Sequence, residues 1–332
     1  MASRFVTDWR LMFENAIRLM SHSSPFFLAR IGGSDTDAVA AYAYAKETGG
    51  PDDILRRTLP YLSVVKQFNG YYDRQESEKT FLDYLAELEK CYSVCDHLFI
   101  SGPKLLSLYF PTNAGPKKFP EGRVPGEQAY RSLMKSVGRS DRDAATAFFP
   151  YSFIEKMVRH HYTLFRAFSH GLQGKKVLVV SPFSKSIESN FTNRRDFFKD
   201  YHYPAFELRL QTTPITYAGL PDEFYPDQDW LATTERLKNE ISQINFDIAL
   251  LGCGSYAMPL GIHIRDTLKK QAIYVGGVLQ LYFGVMGRRY QDVFFTDQIN
   301  LEKFIFPLEG QELLKHVTIN EKTAREAFGA YF

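Results

Sequence analysis

Short apolar runs alternate along this chain with longer stretches in which apolar residues recur every three to four positions. The first pattern suits strands buried on both faces, and the second suits amphipathic helices. Residues 1–22 read as a helix. A strand over Phe26–Ile31 and a Gly32-Gly33 turn follow, then a helix capped by Ser34 or Asp35, whose side-chain oxygens suit the free amides of a first turn. From Asp53 to Val94 the spacing is helical, and His97–Ser101 reads as a strand. Residues 111–145, rich at first in Pro, Gly, Lys and Arg, read as a long surface loop.

The second half is more regular. A helix over residues 153–176 leads to a buried strand, Val177–Phe183. A helix near Ser186, a strand over Phe206–Thr212 and a helix after a capping Asp in DQDWL come next. The run FDIALLG (Phe246–Gly252) then opens a strand–turn–helix–strand unit that closes on AIYVGG (Ala272–Gly277). Residues 300–332 read as a tail of mixed structure. Alternating strands and helices predict an α/β fold: a Rossmann-like, doubly wound, mostly parallel sheet with a helical N-terminal part. The chain divides into an N-terminal part, 1–150, and a second α/β part, 151–332, integrated as one domain.

Ligands of such folds bind at the carboxyl ends of the strands, where glycines allow close approach of the backbone. Three segments therefore carry the candidate chemistry. In ARIGGSDTD, Arg30 ends a strand beside the turn, and Asp35 and Asp37 follow it. Hard carboxylate oxygens in a D-x-D pair suit Mg²⁺ or Mn²⁺, although acids in a first helical turn are also favoured by the helix dipole alone. In GCGSYA, Gly252 and Gly254 match G-x-G-x-x-A. A dinucleotide site also needs an acid at the end of the next strand, and that strand ends Val275-Gly276-Gly277. Ser181 ends the earlier strand beside the same edge. Arg288 and Arg289 follow an aromatic segment and two further glycines, a pattern that suits pyrophosphate. His263, farther along the helix after GCGSY, reads as a packing residue.

Composition narrows the classes. With 40 basic and 38 acidic residues the formal charge is +2, which gives no footing for nucleic acid. No apolar run reaches the length of a membrane span, so a soluble, cytoplasmic protein is expected. Three cysteines without C-x-x-C pairs argue against a disulfide framework or a zinc site. The 28 Phe and 20 Tyr are notable and read chiefly as an aromatic core, with sugar stacking or membrane contact as the sharper alternative.

Taken together, ARIGGSDTDAV, VLVVSPF, DIALLGCGSYAMPLG and above all YVGGVLQLYFGVMGRRY resemble glycosyltransferases of the GT-D fold type, found among bacterial surface-polysaccharide proteins. The likeness runs in pieces from about residue 25 to the C-terminus. It implies transfer of a sugar from a nucleotide-diphosphate sugar, with a UDP-sugar as the first expectation, to a glycan or lipid-linked acceptor. Such an acceptor would bring the protein to the inner face of the membrane by peripheral contact. Of the family's R-x-G-D-G-E segment, Arg30, Gly32 and the final acid, Asp35, match, while Gly33 stands where the first Asp would. Gly276, Gly277, Gln280, Gly284, Gly287 and Arg289 match the second block.

The resemblance thus implies Arg30, Arg289 and Asp35 as catalytic, and Asp35 with Asp37 as holders of a divalent Mn²⁺ or Mg²⁺. The donor would meet Gly32, Gly33, Ser181, Gly252, Gly254, Ser255, Tyr256, Gly276, Gly277 and Gln280. Glu188 and Asp73 are the acids considered as an acceptor base. Two alternatives remain open at this point: an NAD(P)-dependent sugar-nucleotide oxidoreductase and a noncatalytic glycan-assembly protein.

Overall fold

The computed structural model describes residues 17–31, 33–95, 97–100, 126–138, 166, 168–192, 195–199, 201–216, 220, 222–287, 299–313 and 315. Six strands form one sheet: β1 (Phe26–Ile31), β2 (His97–Ile100), β3 (Lys176–Ser181), β4 (Glu207–Thr212), β5 (Ile248–Leu251) and β6 (Gln271–Tyr274). Their order is β2-β1-β6-β5-β3-β4, and every neighbouring pair is parallel. Parallel pairing needs a crossover between neighbours, and the crossovers cover both faces of the sheet. The doubly wound α/β reading is what the chain adopts.

The strands explain the two cores. Val177, Val179, Ile248, Leu250 and Ile273 face one apolar cluster, and their sequence neighbours Leu178, Val180, Ala249, Leu251 and Ala272 face the other. Successive side chains of a strand point to opposite faces, so a run with no polar member is required to bury both. One face is covered by α1 (Gly33–Thr48), α4 (Glu78–Val94), α7 (Trp230–Ser242) and α8 (Ala257–Asp266). The short α2 (Pro51–Thr58) and α3 (Leu62–Phe68) connect α1 to α4. The other face carries α6 (Ser184–Phe191), α9 (Leu279–Tyr282) and α10 (Leu308–Leu313), with a cluster of rings that includes Phe191, Phe197, Phe206 and Phe283.

Local chemistry sets several boundaries. Asp229 caps α7 by accepting from the Ala232 amide at 2.8 Å, as the capping Asp in DQDWL predicts. Ser77 accepts from the Thr80 amide at the start of α4. At α1 the expectation needs correction. The helix begins at Gly33, so Ser34 and Asp35 lie inside its first turn and neither is the cap.

The proposed loop at 111–145 is also corrected in part. Gly126–Ser136 forms α5, which buries Ala129, Tyr130, Leu133 and Met134 in the core shared with α1. These residues recur at i, i+1, i+4 and i+5, the stripe of a helix, but the Pro- and Gly-rich lead masked them as loop. Glu47 of α1 ties this helix down by accepting from Ser132 at 2.6 Å and Lys135 at 2.5 Å. Residues 111–125 and 139–145 of that expectation lie outside the described residues. So do residues 1–16 of the first helix, most of 153–167 and residues 316–332; residues 17–21 are helical.

Close packing of α8 on β1 depends on Gly261. A Cβ there would fall 2.2 Å from the Phe27 ring, in a core with no room to yield. Gly261→Ala is expected to cost about 1–3 kcal/mol by overpacking, read by urea denaturation. A loss under about 0.5 kcal/mol, the range of neutral surface changes, would show that α8 does not seat on β1 this way.

Cys91, Cys95 and Cys253 are all free and buried, and burial raises the Cys91 and Cys253 thiols well above their ordinary range. Thiolate is the reactive form, so a thiol reagent at neutral pH should label none of them in the native protein and all three after denaturation. Rapid labelling of Cys253 in the native state would place the GCG turn in solvent instead.

Candidate functional site

Strand register aligns the candidate residues. Val180 pairs with Leu251, Leu251 with Tyr274, and Ile273 with Leu28. Continuing each ladder by one or two positions sets Ser181, Gly252, Val275 and Arg30 in one row across the carboxyl edge. Three strand spacings of roughly 4.8 Å make that row about 14 Å long. The helices leave it in opposite directions. After β3 and β6 the chain turns to the α6 and α9 face, and after β5 and β1 it turns to the α8 and α1 face. Adjacent strands whose connections diverge in this way form the crevice in which α/β sheets bind ligands.

Inside the row, the glycines serve two different ends. A Cβ on Gly252 would meet the Leu279 side chain at 2.9 Å and the Gly276 carbonyl at 3.2 Å, so this glycine admits α9. Gly254 has φ +60°, which glycine adopts at no steric cost, and its Cα lies against the Asn69 carbonyl, 3.0 Å from where a Cβ would be. Both glycines of G-x-G-x-x-A are therefore demanded by the protein's own packing.

Ser255 completes this corner: its amide and its hydroxyl donate to the same Asn69 carbonyl, at 3.2 Å and 2.8 Å. Tyr256 is 2% exposed, with its ring stacked on Trp230 at 5.4 Å and its hydroxyl 3.3 Å from Thr216 Oγ1. Burial holds its phenol well above the usual range. These two residues, expected as polar contacts to a nucleotide, pin α3 and α7 to the β5 turn.

Ser181 is buried and its hydroxyl accepts from the Phe183 amide at 3.1 Å, while Ser184 donates to the Ser181 carbonyl at 2.8 Å. It shapes the turn before α6, whose N-cap is Phe183, and does not cap the helix itself. Gly276 donates to the Leu251 carbonyl at 3.0 Å and Gly277 begins the turn into α9, where Gln280 is buried. Arg30 is placed by its strand, with its side chain outside the described residues. Gly32, Arg288 and Arg289 lie outside them as well. Asp73 is occupied by the Gln75 and Ser77 amides, at 2.9 Å and 2.7 Å, as a turn acceptor ahead of α4, and Glu188 is exposed on α6. His263 is half-buried rather than part of the core, and its Nε2 lies 2.8 Å from Ser242 Oγ, joining α8 to α7.

The acidic pair is the most informative part of the site. Asp35 is 4% exposed and accepts a hydrogen bond from the Tyr84 hydroxyl at 2.7 Å. Asp37 is exposed. Two residues along a helix amount to roughly 200° of rotation, so the two carboxylates leave α1 on different sides. Tyr84 is held by the Tyr71 ring at 4.7 Å and the Trp230 ring at 4.8 Å. Burial first, and then the Asp35 charge, push its phenol well above the ordinary range, so it remains a donor. Burial, and after it the Asp35 charge, raise the Tyr92 phenol as well.

Among the described residues, no group of three or more His, Cys, Asp or Glu side chains is placed to hold a metal ion. The Asp35–Asp37 pair does not fit a shared divalent cation, because such ions need oxygens converging on one point. Tyr84 was not singled out from the sequence. It belongs to the stripe Phe81, Tyr84, Leu85, Leu88 of α4, and nothing in that spacing separates a core ring from one that grips a carboxylate.

No protein-family profile matches the chain, and no curated protein matches it. Among solved structures, a glycosyltransferase (DUF1792) from Streptococcus sanguinis superposes with a TM-score of 0.45 at 13% identity, covering 81% of each chain. A second structure, described as domain of unknown function 1792 with a distinct glycosyltransferase fold, gives 0.45 at 14% identity over 91% of this chain and 92% of its own.

Tyr84→Phe removes a donor from a buried carboxylate and is expected to cost about 1–3 kcal/mol in urea denaturation. Asp35→Asn should cost less, since the amide oxygen still accepts from Tyr84. Equal and negligible losses for both variants would mean that the bond contributes nothing to the fold.

Proposed function

We propose that the chain is a glycosyltransferase that moves a sugar from a nucleotide-diphosphate donor to a glycan or lipid-linked acceptor. The observation that carries this reading is the pairing of β1 with β6. It sets the Arg30 end of one strand beside the Gly276-Gly277 end of the next, with connections diverging to opposite faces. These are the two segments in which the sequence most resembles GT-D glycosyltransferases. Both central glycines of the β5 turn are filled by protein, which moves the expected ligand from GCGSY to the β1–β6 corner.

The chemistry follows from charge. When the sugar departs, negative charge grows on the diphosphate, and fixed cations at that position lower the barrier. Arg30 is the cation the row supports, and Arg289, following α9 in sequence, is the second. Gly276 and Gly277 offer backbone at the ligand's edge, while Gln280 supplies a buried amide on the first turn of α9. The resemblance makes a UDP-sugar the first donor to try, and a role in surface polysaccharide synthesis extends the same reading. No described helix is long and apolar enough to cross a membrane; a lipid-linked acceptor would be met by peripheral contact.

The oxidoreductase alternative loses its main support, because Gly252 faces Leu279 and Gly254 faces Asn69 where a pyrophosphate would be needed.

Thermal shift against UDP, GDP, CMP, NAD and NADP tests the reading. One nucleoside diphosphate is expected to raise the melting temperature, since a ligand at 100 times its Kd stabilises the native state by about 2.7 kcal/mol. The matching nucleotide sugar should then release free nucleotide in the presence of enzyme. A shift with NAD or NADP alone would sink the proposal, and binding without any release would leave a glycan-assembly protein that only holds the donor.

A further inference from the structure

We propose that the β1–α1 corner binds its anionic ligand without a divalent cation, because Tyr84 occupies the carboxylate that a cation would need. The inference deepens the donor-binding reading and rests on it for the identity of the ligand.

Three features of α1 support it. Asp35, the one acid of the turn that points inward, is 4% exposed and has an oxygen engaged by Tyr84 at 2.7 Å. Mg²⁺ or Mn²⁺ takes near-octahedral oxygen ligands and usually keeps several waters, and a carboxylate buried to this degree leaves little room for that shell. The second candidate, Asp37, is exposed about 200° around the helix and cannot close the same ion. Position 33, where a first acid would precede Asp35 on the other side, is glycine within the helix.

Charge balance points the same way. A carboxylate beside a diphosphate is repulsive unless a cation lies between them. Here Tyr84, anchored by Tyr71 and Trp230, ties that carboxylate to α4. Neutralising the ligand then falls to protein cations, for which Arg30 holds the strand-end position. Asp35 becomes the fixed acceptor that joins the corner to α4. In this reading the acid is kept for its bond to Tyr84, with no metal to hold.

Mn²⁺ alone, titrated into the full chain and followed by the paramagnetic resonance of the free ion, tests this without any activity. The expected result is no saturable site dependent on Asp35. A saturable site lost in Asp35→Asn would overturn the proposal. Should that variant fail to fold, Tyr84→Phe decides: a saturable site that tightens severalfold when the phenol is removed uses Asp35 and overturns it, whereas an unchanged site lies elsewhere and leaves it standing.

The second arm measures UDP binding in EDTA and in Mn²⁺. Affinities within twofold of each other support the proposal, and a tenfold or greater gain with Mn²⁺ overturns it. If UDP binds under neither condition, the donor reading fails, while the Mn²⁺ titration still decides the question of the cation.

Discussion

The ladder between β1 and β6 is the constraint on which the rest of the edge depends. Phe26 pairs with Gln271 and Leu28 with Ile273, residues from opposite ends of the chain. Without that pairing, the Arg30 turn and the Gly276 turn belong to separate pieces of structure. With it, β1 and β2 extend the sheet begun by β6, β5, β3 and β4, and the two apolar faces become continuous. Register matters as much as pairing. A one-residue slip would exchange the faces of β1, sending Phe27 away from Gly261 and into a core already filled.

The glycine turns show how one residue type answers to different demands. Gly252 is small because Leu279 lies on it, Gly254 because the backbone turns left-handed under Asn69, and Gly261 because Phe27 lies across it. In a bare sequence each of these is a gap that invites a phosphate. Only neighbours far away in the chain reveal which gaps the protein fills itself. The same logic applies to the acids. Asp35 and Asp37 stand two positions apart in the sequence, yet the helix that contains them separates a buried, phenol-bonded carboxylate from an exposed one.

The aromatic content finds much of its explanation in these cores. Tyr71, Tyr84, Trp230 and Tyr256 form a run of ring contacts behind α1, and Phe191, Phe197, Phe206 and Phe283 form another around α6. Ring pairs of this kind add directionality to burial, fixing how helices sit on the sheet as well as how firmly. Tyr84 shows the added value of a polar handle on a core ring: its face packs with Tyr71 and Trp230 while its hydroxyl holds Asp35.

By itself the sequence determined the class of fold and most of its elements. A buried parallel strand must be apolar on both faces, so VLVV and IALL were legible as strands, and a capping Asp announced α7. These signals are local: they depend on spacing within a dozen residues. The strand order, the partner of Asp35 and the role of Gly252 were decided by tertiary structure. Each depends on a contact between residues distant in the chain, and a local pattern states that a surface must be buried without stating what will cover it.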